Sequence, residues 1–171
     1  MADDRIQKKA CELVETAKQA GKMFGFAESL TGGLISSSVV GVSGASSVFK
    51  GGIVSYTNEV KENVLGVPSE IIDTYNEVSA ECAKAMAEGA LSVLGTDLAI
   101  SVTGIAGPTG DLPGKPVGTV YMGFSYNDST DYRRITDAVR LNLNGDRNSI
   151  RENTVIAALD KAIELIKKGV S

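Results

Sequence analysis

Apolar positions recur along the chain with two periods. Ile6, Ala10, Leu13, Val14 and Ala17 step by three and four, which predicts an amphipathic helix over residues 5–20, ended by Gly21. Met23 to Ala27 is a short apolar run suited to a buried strand, and Leu34 to Val40 can wind as a helix. Val48 to Tyr56 reads as a strand with Gly51-Gly52 inside it, the mark of a bulge or a close backbone approach. Thr57 can cap a short helix carrying Asn58, Glu59 and Lys61, and Pro68-Ser69 begins another with Ile71 and Ile72. Ser79 is the predicted N-cap of a helix whose apolar face is Ala83, Met86, Ala87, Ala90, Leu91 and Leu94. Leu98 to Val102 is a compact strand, and Val117–Ser125 with Asp131–Leu141 makes a hairpin. Arg147 to Lys168 forms the last helix, with Val155, Leu159, Ala162, Ile163 and Ile166 as its stripe.

The order α-β-α-β-α-β-β-β-α predicts an α/β fold. The expected form is a three-layer α/β/α sandwich around a mixed, mostly parallel sheet of about five strands. The sequence contains no internal repeat, linker or low-complexity stretch, so residues 1–171 read as one domain.

Composition narrows the function. A net charge of −4 argues against nucleic acid or an acidic membrane as partner, since either wants a basic face. The start, Met1-Ala2-Asp3-Asp4-Arg5, is unlike a signal peptide, and no apolar run approaches a membrane span, so the expected location is cytoplasmic. In that setting Cys11 and Cys82 are expected to be reduced. The decisive count is zero histidines. That removes a Ser-His-Asp triad, a Cys-His pair and a histidine-ligated metal, and leaves lysine as the simplest base for an activated serine.

Four stretches can carry chemistry. Glu28-Ser29-Leu30-Thr31-Gly32-Gly33 joins a strand to a helix, where backbone N–H groups and the helix dipole favour negative charge. Ser29 there can be a cap, a phosphate ligand or a nucleophile. Tyr56 closes a strand, and Lys61 lies one turn into the next helix; by spacing alone both can equally be surface residues. The loop Gly104-Ile105-Ala106-Gly107-Pro108-Thr109-Gly110 can cradle an oxyanion or phosphate, or be structural; it is neither a P-loop nor a dinucleotide fingerprint. Arg147 and Arg151 share a face of the last helix and can bind an anion or form surface ion pairs. Ser47-Val48-Phe49-Lys50 matches S-x-x-K but leads into a strand and lacks the companion motifs.

The segments Ala27–Gly33 (AESLTGG), Gly51–Lys61 (GGIVSYTNEVK), Ser101–Gly110 (SVTGIAGPTG), Lys115–Val120 (KPVGTV) and Gly145–Arg151 (GDRNSIR) occur in this order. Together they resemble the C-terminal domain of the competence/damage-inducible protein CinA, a family that includes stand-alone nicotinamide-nucleotide amidohydrolases. The resemblance covers nearly the whole chain. Where the family's glycine loop continues as Gly-Gly after proline, this chain has Gly110-Asp111-Leu112-Pro113. The resemblance implies a Ser-Lys-Tyr amidase with Ser29 as nucleophile, Tyr56 and Lys61 as its partners, and no metal or cofactor. It implies a nucleotide substrate, nicotinamide mononucleotide, hydrolysed to nicotinate mononucleotide and ammonia, and a homodimer. The expected oxyanion donors are the N–H groups of Thr31, Gly32 and Gly33 or the loop from Gly104 through Ala106 to Gly107. Arg147, Lys115 and the glycine loop are the expected phosphate ligands. The rival readings are a non-catalytic nucleotide-binding module and a serine amidase acting on another small amide.

Overall fold

A computed structural model describes residues 4–170. The reading of Met1 to Asp3 lies outside them. Six α-helices and five strands follow in order: α1 Asp4–Ala20, β1 Phe24–Glu28, α2 Leu34–Val40, β2 Phe49–Val54, α3 Asn58–Leu65, α4 Ser69–Tyr75, α5 Ala80–Leu94, β3 Leu98–Gly104, β4 Thr119–Asn127, β5 Arg134–Asn142 and α6 Arg147–Lys167. The strands form one mixed sheet in the order β2-β1-β3-β4-β5. β1 pairs parallel to β2 and β3, while β4 runs antiparallel to β3 and to β5. Four strands therefore point one way and β4 is reversed, the mixed α/β architecture expected from the element order.

Strand alternation divides the core between the two faces. Phe24, Phe26, Leu98, Ile100, Val102, Val120, Met122 and Phe124 face α1, α2 and α6 in the larger cluster. Ala27 and Ala99 face Cys82, Met86, Ala90 and Leu91 of α5, with Leu65 at the end of α3 and Ile72 of α4. The α5 side of the sheet is built from small residues, including Gly25, Ala27, Ala99, Ser101 and Gly123. That lets α5 lie close enough for the Ser101 hydroxyl to donate to the Ala83 carbonyl at 2.5 Å. A Cβ at Gly123 would sit 2.2 Å from that carbonyl oxygen.

Element ends differ from the sequence reading where tertiary contacts intervene. β2 stops at Val54 because the carbonyls of Ser55 and Tyr56 turn to Lys61. The hairpin sits about two residues later, its turn closed by Asp128, whose carboxylate accepts from the Thr130 N–H at 2.7 Å. Both readings of Gly51-Gly52 hold. The β1–β2 register shifts beside Gly51, and a Cβ on Gly52 would lie 1.9 Å from Ser36 Oγ.

Gly52 leaves that room for a polar cluster at the end of β1. Glu28, 0% exposed, turns its carboxylate onto the start of α2. Oε2 accepts from Thr31 Oγ1 at 2.6 Å and from the Gly33 and Ile35 N–H groups at 3.1 Å each. Oε1 accepts from the Ser36 N–H at 2.8 Å and Ser36 Oγ at 2.6 Å. The helix thus carries its own anion, since its N-cap Gly33 has no side chain to offer. Glu28→Ala strips five donors of their acceptor and is expected to destabilise the protein by about 3–5 kcal/mol in urea denaturation, with Glu28→Gln costing less. A loss below about 1 kcal/mol for the alanine variant would show that the carboxylate does not hold the turn.

Candidate active site

The carboxyl ends of the three parallel strands meet at one edge of the sheet. β1 leaves toward the face covered by α2 and β2 toward the face covered by α3, so a crevice opens where the connections diverge. An open cleft of about 420 Å³ lies there, in the size range of small-molecule sites, roughly 300–1,000 Å³. Ser29, Leu30, Tyr56, Lys61, Glu77, Gly104, Ala106, Gly107 and Arg147 are among the residues that line it.

Lys61 is placed by local signals. The Thr57 side chain accepts from the Val60 N–H and starts α3, which puts Lys61 on the inner face one turn on. The lysine is 1% exposed. Its Nζ lies 3.0 Å from Ser29 Oγ, 2.8 Å from the Ser55 carbonyl and 3.3 Å from the Tyr56 carbonyl. Among the described residues no carboxylate lies within ion-pair distance of it. Burial pushes the Lys61 pKa below its ordinary value near 10.5, opposed by Coulombic interaction with Cys82, when ionised, and with Glu77. The Cys82 thiol is pushed up to about 11 by the same burial, which leaves it protonated and inert.

These contacts have a chemical reading. Carbonyls only accept, so the amine must donate to Ser55 and Tyr56. An uncharged amine has two N–H bonds, and both are then spent. In that uncharged form its lone pair is left for Ser29, whose hydroxyl can donate to it, whereas an ammonium would donate to all three oxygens. Burial without a carboxylate partner is what favours the uncharged form.

Tyr56 meets Lys61 through its main chain. Its side chain is 62% exposed at the mouth of the cleft, and its hydroxyl has no hydrogen-bond partner among the described residues. Thr31, Gly32 and Gly33 do not line the cleft. The Gly33 N–H is held by Glu28 and the Gly32 N–H by the Ser29 carbonyl at 3.1 Å, so neither is free for an oxyanion. The helix start at α2 is filled by Glu28, and among the described residues the N–H groups of Leu30 and Thr31 in this turn have no acceptor. Glu28 itself is committed to its five donors and is not placed to act as base.

On the opposite wall Gly107 has φ 78°, and a Cβ there would lie 2.5 Å from Val117 Cγ1, so glycine is required on both counts. The N–H groups of Ala106 and Gly107 are uncommitted among the described residues. Asp111 accepts from the Val117 N–H at 3.1 Å, and Leu112 and Lys115 exchange main-chain bonds at 3.0 and 2.8 Å. The Asp111-Leu112-Pro113 departure thus builds its own turn. Lys115 does not reach the cleft; its amine donates to the Val78 carbonyl and, at 3.4 Å, to the Tyr75 carbonyl.

Of the two arginines of α6, Arg147 lines the cleft and Arg151 reaches the turn after Ser29. Arg147 Nη1 donates to the Gly107 carbonyl at 2.7 Å. Arg151 donates from Nε to the Leu30 carbonyl and from Nη2 to the Thr31 carbonyl, each at 3.0 Å. Sequence spacing left Arg151 as an anion ligand or a surface ion pair, whereas it holds two main-chain carbonyls, and sequence reading missed Glu77 altogether. No motif marks a lone carboxylate in the stretch between two helices.

A buried Ser-Lys pair lies at the carboxyl edge of a mixed sheet, faced by a glycine loop, in an α/β protein whose sequence contains no histidine. The sequence profile of the CinA C-terminal domain matches residues 6–166, and the chain belongs to that family. A CinA-like protein of Dictyoglomus thermophilum is 47% identical over 148 residues, 86% of this chain and 34% of that protein. A putative competence-damage inducible protein of a Thermoanaerobacter species is 47% identical over 150 residues, 87% of this chain and 35% of its own length. The chain thus spans about a third of the curated relatives it matches. The crystal structure of a competence/damage inducible protein from Agrobacterium tumefaciens superposes with a TM-score of 0.88 at 34% identity, covering 96% of this chain and 98% of that one. A CinA superfamily protein from Klebsiella pneumoniae gives the same TM-score at 26% identity, covering 95% and 98%.

Two outcomes follow from the buried amine. Because the folded state disfavours the Lys61 proton that the unfolded chain takes up, stability rises with pH from the depressed value toward 10.5. Lys61→Met is expected to raise the urea midpoint at pH 7, with the gain fading as pH approaches that of free lysine. Glu77→Gln removes a charge that favours the ammonium, so the Lys61 titration followed by NMR is expected to move to lower pH. An unmoved titration would separate Glu77 electrostatically from the base.

Proposed function

We propose that this chain is an amidohydrolase that converts nicotinamide mononucleotide and water into nicotinate mononucleotide and ammonia. The observation that carries the reading is the 3.0 Å contact between Lys61 Nζ and Ser29 Oγ, with the amine's other contacts both to carbonyl oxygens.

Ser29 Oγ attacks the carboxamide carbon while its proton passes to neutral Lys61. The negative charge on the carboxamide oxygen is met by backbone N–H groups, from Leu30 on one wall and Ala106 and Gly107 on the other. Collapse of the tetrahedral species breaks the C–N bond, and the Lys61 ammonium returns its proton to the leaving nitrogen as ammonia. Water, deprotonated by Lys61, then cleaves the acyl-enzyme to the carboxylate and frees Ser29. A guanidinium has five N–H donors, and Arg147 spends one on Gly107. The rest of its fork is available to the substrate phosphate. The exposed Tyr56 phenol stands at the entrance as a further donor to the substrate.

Ammonia release from nicotinamide mononucleotide, against nicotinamide riboside and free nicotinamide, is the primary test. The nucleotide is expected to be cleaved far better than either. Equal kcat/KM for all three would remove the phosphate site, and ammonia from an unrelated amide alone would make the chain a different serine amidase. Binding without turnover would leave a nucleotide-binding module.

Folded Ser29→Ala is expected to lose turnover, and Lys61→Arg likewise, since guanidinium keeps its proton. Tyr56→Phe is expected to be milder, about tenfold to a hundredfold in kcat/KM, with the acid limb of the pH–rate profile in place. The main-chain carbonyl that meets Lys61 survives that change. Substantial activity in Lys61→Arg would refute lysine as the base.

A further inference from the structure

The reaction steps above leave one charged group of the cleft without a task. The ionisable side chains that line it are Tyr56, Lys61, Glu77 and Arg147. Glu77 stands in the connection between α4 and α5, where the main chain is fixed on several sides. Thr103 Oγ1, at the end of β3, donates to the Glu77 carbonyl at 2.8 Å. The next N–H, that of Val78, donates to Asn76 Oδ1 at 2.9 Å, and Lys115 Nζ donates to the Val78 carbonyl. The Glu77 carboxylate, by contrast, accepts no hydrogen bond and enters no ion pair among the described residues. It belongs to a half-buried residue, and its charge acts on Lys61 at the floor of the cleft. A carboxylate drawn partly out of water with no donor is unfavourable until an opposite charge arrives.

With Lys61 uncharged, the fixed charges lining the cleft are one anion, Glu77, and one cation, Arg147. Such a pair complements a zwitterion. Nicotinamide mononucleotide is one, with an anionic phosphate and a ring made cationic by its bond to the ribose. A carboxylate repels the phosphate, which is left to Arg147. The carboxamide that Ser29 attacks is bonded directly to the ring, so the ring has to lie at the Ser29–Lys61 end, where the charge of Glu77 is felt. We propose that Glu77 is a specificity residue that holds the cationic pyridinium ring, so that the cleft selects zwitterionic pyridinium nucleotides over analogues with a neutral ring. Attraction across a cleft with low-dielectric walls is stronger than between the same charges in water. The proposal rests on the reading of this chain as an amidase of a pyridine nucleotide.

The experiment measures binding without turnover, in the Ser29→Ala protein. Two ligands are titrated by calorimetry: nicotinamide mononucleotide and its 1,4-dihydro form, which carries the same carboxamide, ribose and phosphate on an uncharged ring. The proteins are Ser29→Ala alone and Ser29→Ala combined with Glu77→Gln, each checked by urea denaturation. Glu77→Gln is expected to weaken the oxidised nucleotide about tenfold, between the effects of an exposed and a buried ion pair, and to leave the reduced one within about twofold. The reduced ring also differs in shape, so the deciding quantity is the change in preference across the Glu77 substitution, in which that difference cancels. A preference that survives the glutamine change overturns the proposal. So does an equal loss for both ligands, which would put the carboxylate on the ribose or in the fold. Should the glutamine variant fail to fold, Glu77→Ala decides by the same criterion. Ammonia release by the protein with Ser29 intact keeps the two failures apart. Ammonia with a preference indifferent to Glu77 rejects the role of Glu77 and retains the substrate. A preference that depends on Glu77 in a protein that releases no ammonia upholds the role and rejects the amidase. Binding of neither nucleotide rejects both.

Discussion

An amine taken out of water with no carboxylate beside it is costly to keep charged, and the cleft is arranged around that fact. The Lys61 ammonium would lose its hydration and regain only three neutral acceptors. The surroundings favour the uncharged form, and with it the lone pair that faces Ser29. Much else follows from putting that nitrogen where it is. β2 gives up its ladder at Val54 so that two carbonyls can turn inward. α3 starts at a capped Thr57 so that its fourth residue points to the core. The protein forgoes some stability to hold this group in the interior.

The second charged group in the interior, Glu28, works the other way. It is a carboxylate supplied with donors rather than an amine deprived of a partner. Its presence changes how the turn after β1 is to be understood. A helix start after a Ser-Leu-Thr-Gly-Gly turn suggests a landing place for a ligand's negative charge, and in this fold the place is taken by the chain itself. On the proposed reaction, charge on the carboxamide oxygen would be met earlier in the turn, and a substrate phosphate on the far wall, near Arg147.

What could be read from the sequence was whatever is encoded locally. The 3.6-residue stripe of α1 and α6, the Thr57 and Ser79 caps and the apolar β1 and β3 runs each carry their own signal. The absence of histidine and the Ser29, Tyr56 and Lys61 motifs led to the three residues that the fold assembles in the cleft. The parts that escaped depend on direction rather than identity. Nothing in the string distinguishes a Tyr56 that offers its phenol from one that offers its carbonyl. Nor does it show that Glu28 bends forward onto α2, that Lys115 ties the loop to the α4–α5 connection, or that Arg151 crosses to residues 120 positions away.

That last separation has a consequence for the order in which the molecule comes into being. Ser29, Tyr56 and Lys61 all leave the ribosome early, and β1, β2 and α3 can associate while the rest is still being made. The Leu30–Thr31 peptide receives its clasp only after residue 151 has emerged and α6 has docked, a contact of high sequence separation and so a late one in folding. A nascent or partly folded chain would hold the serine beside the lysine before the turn that follows Ser29 is tied down by the last helix.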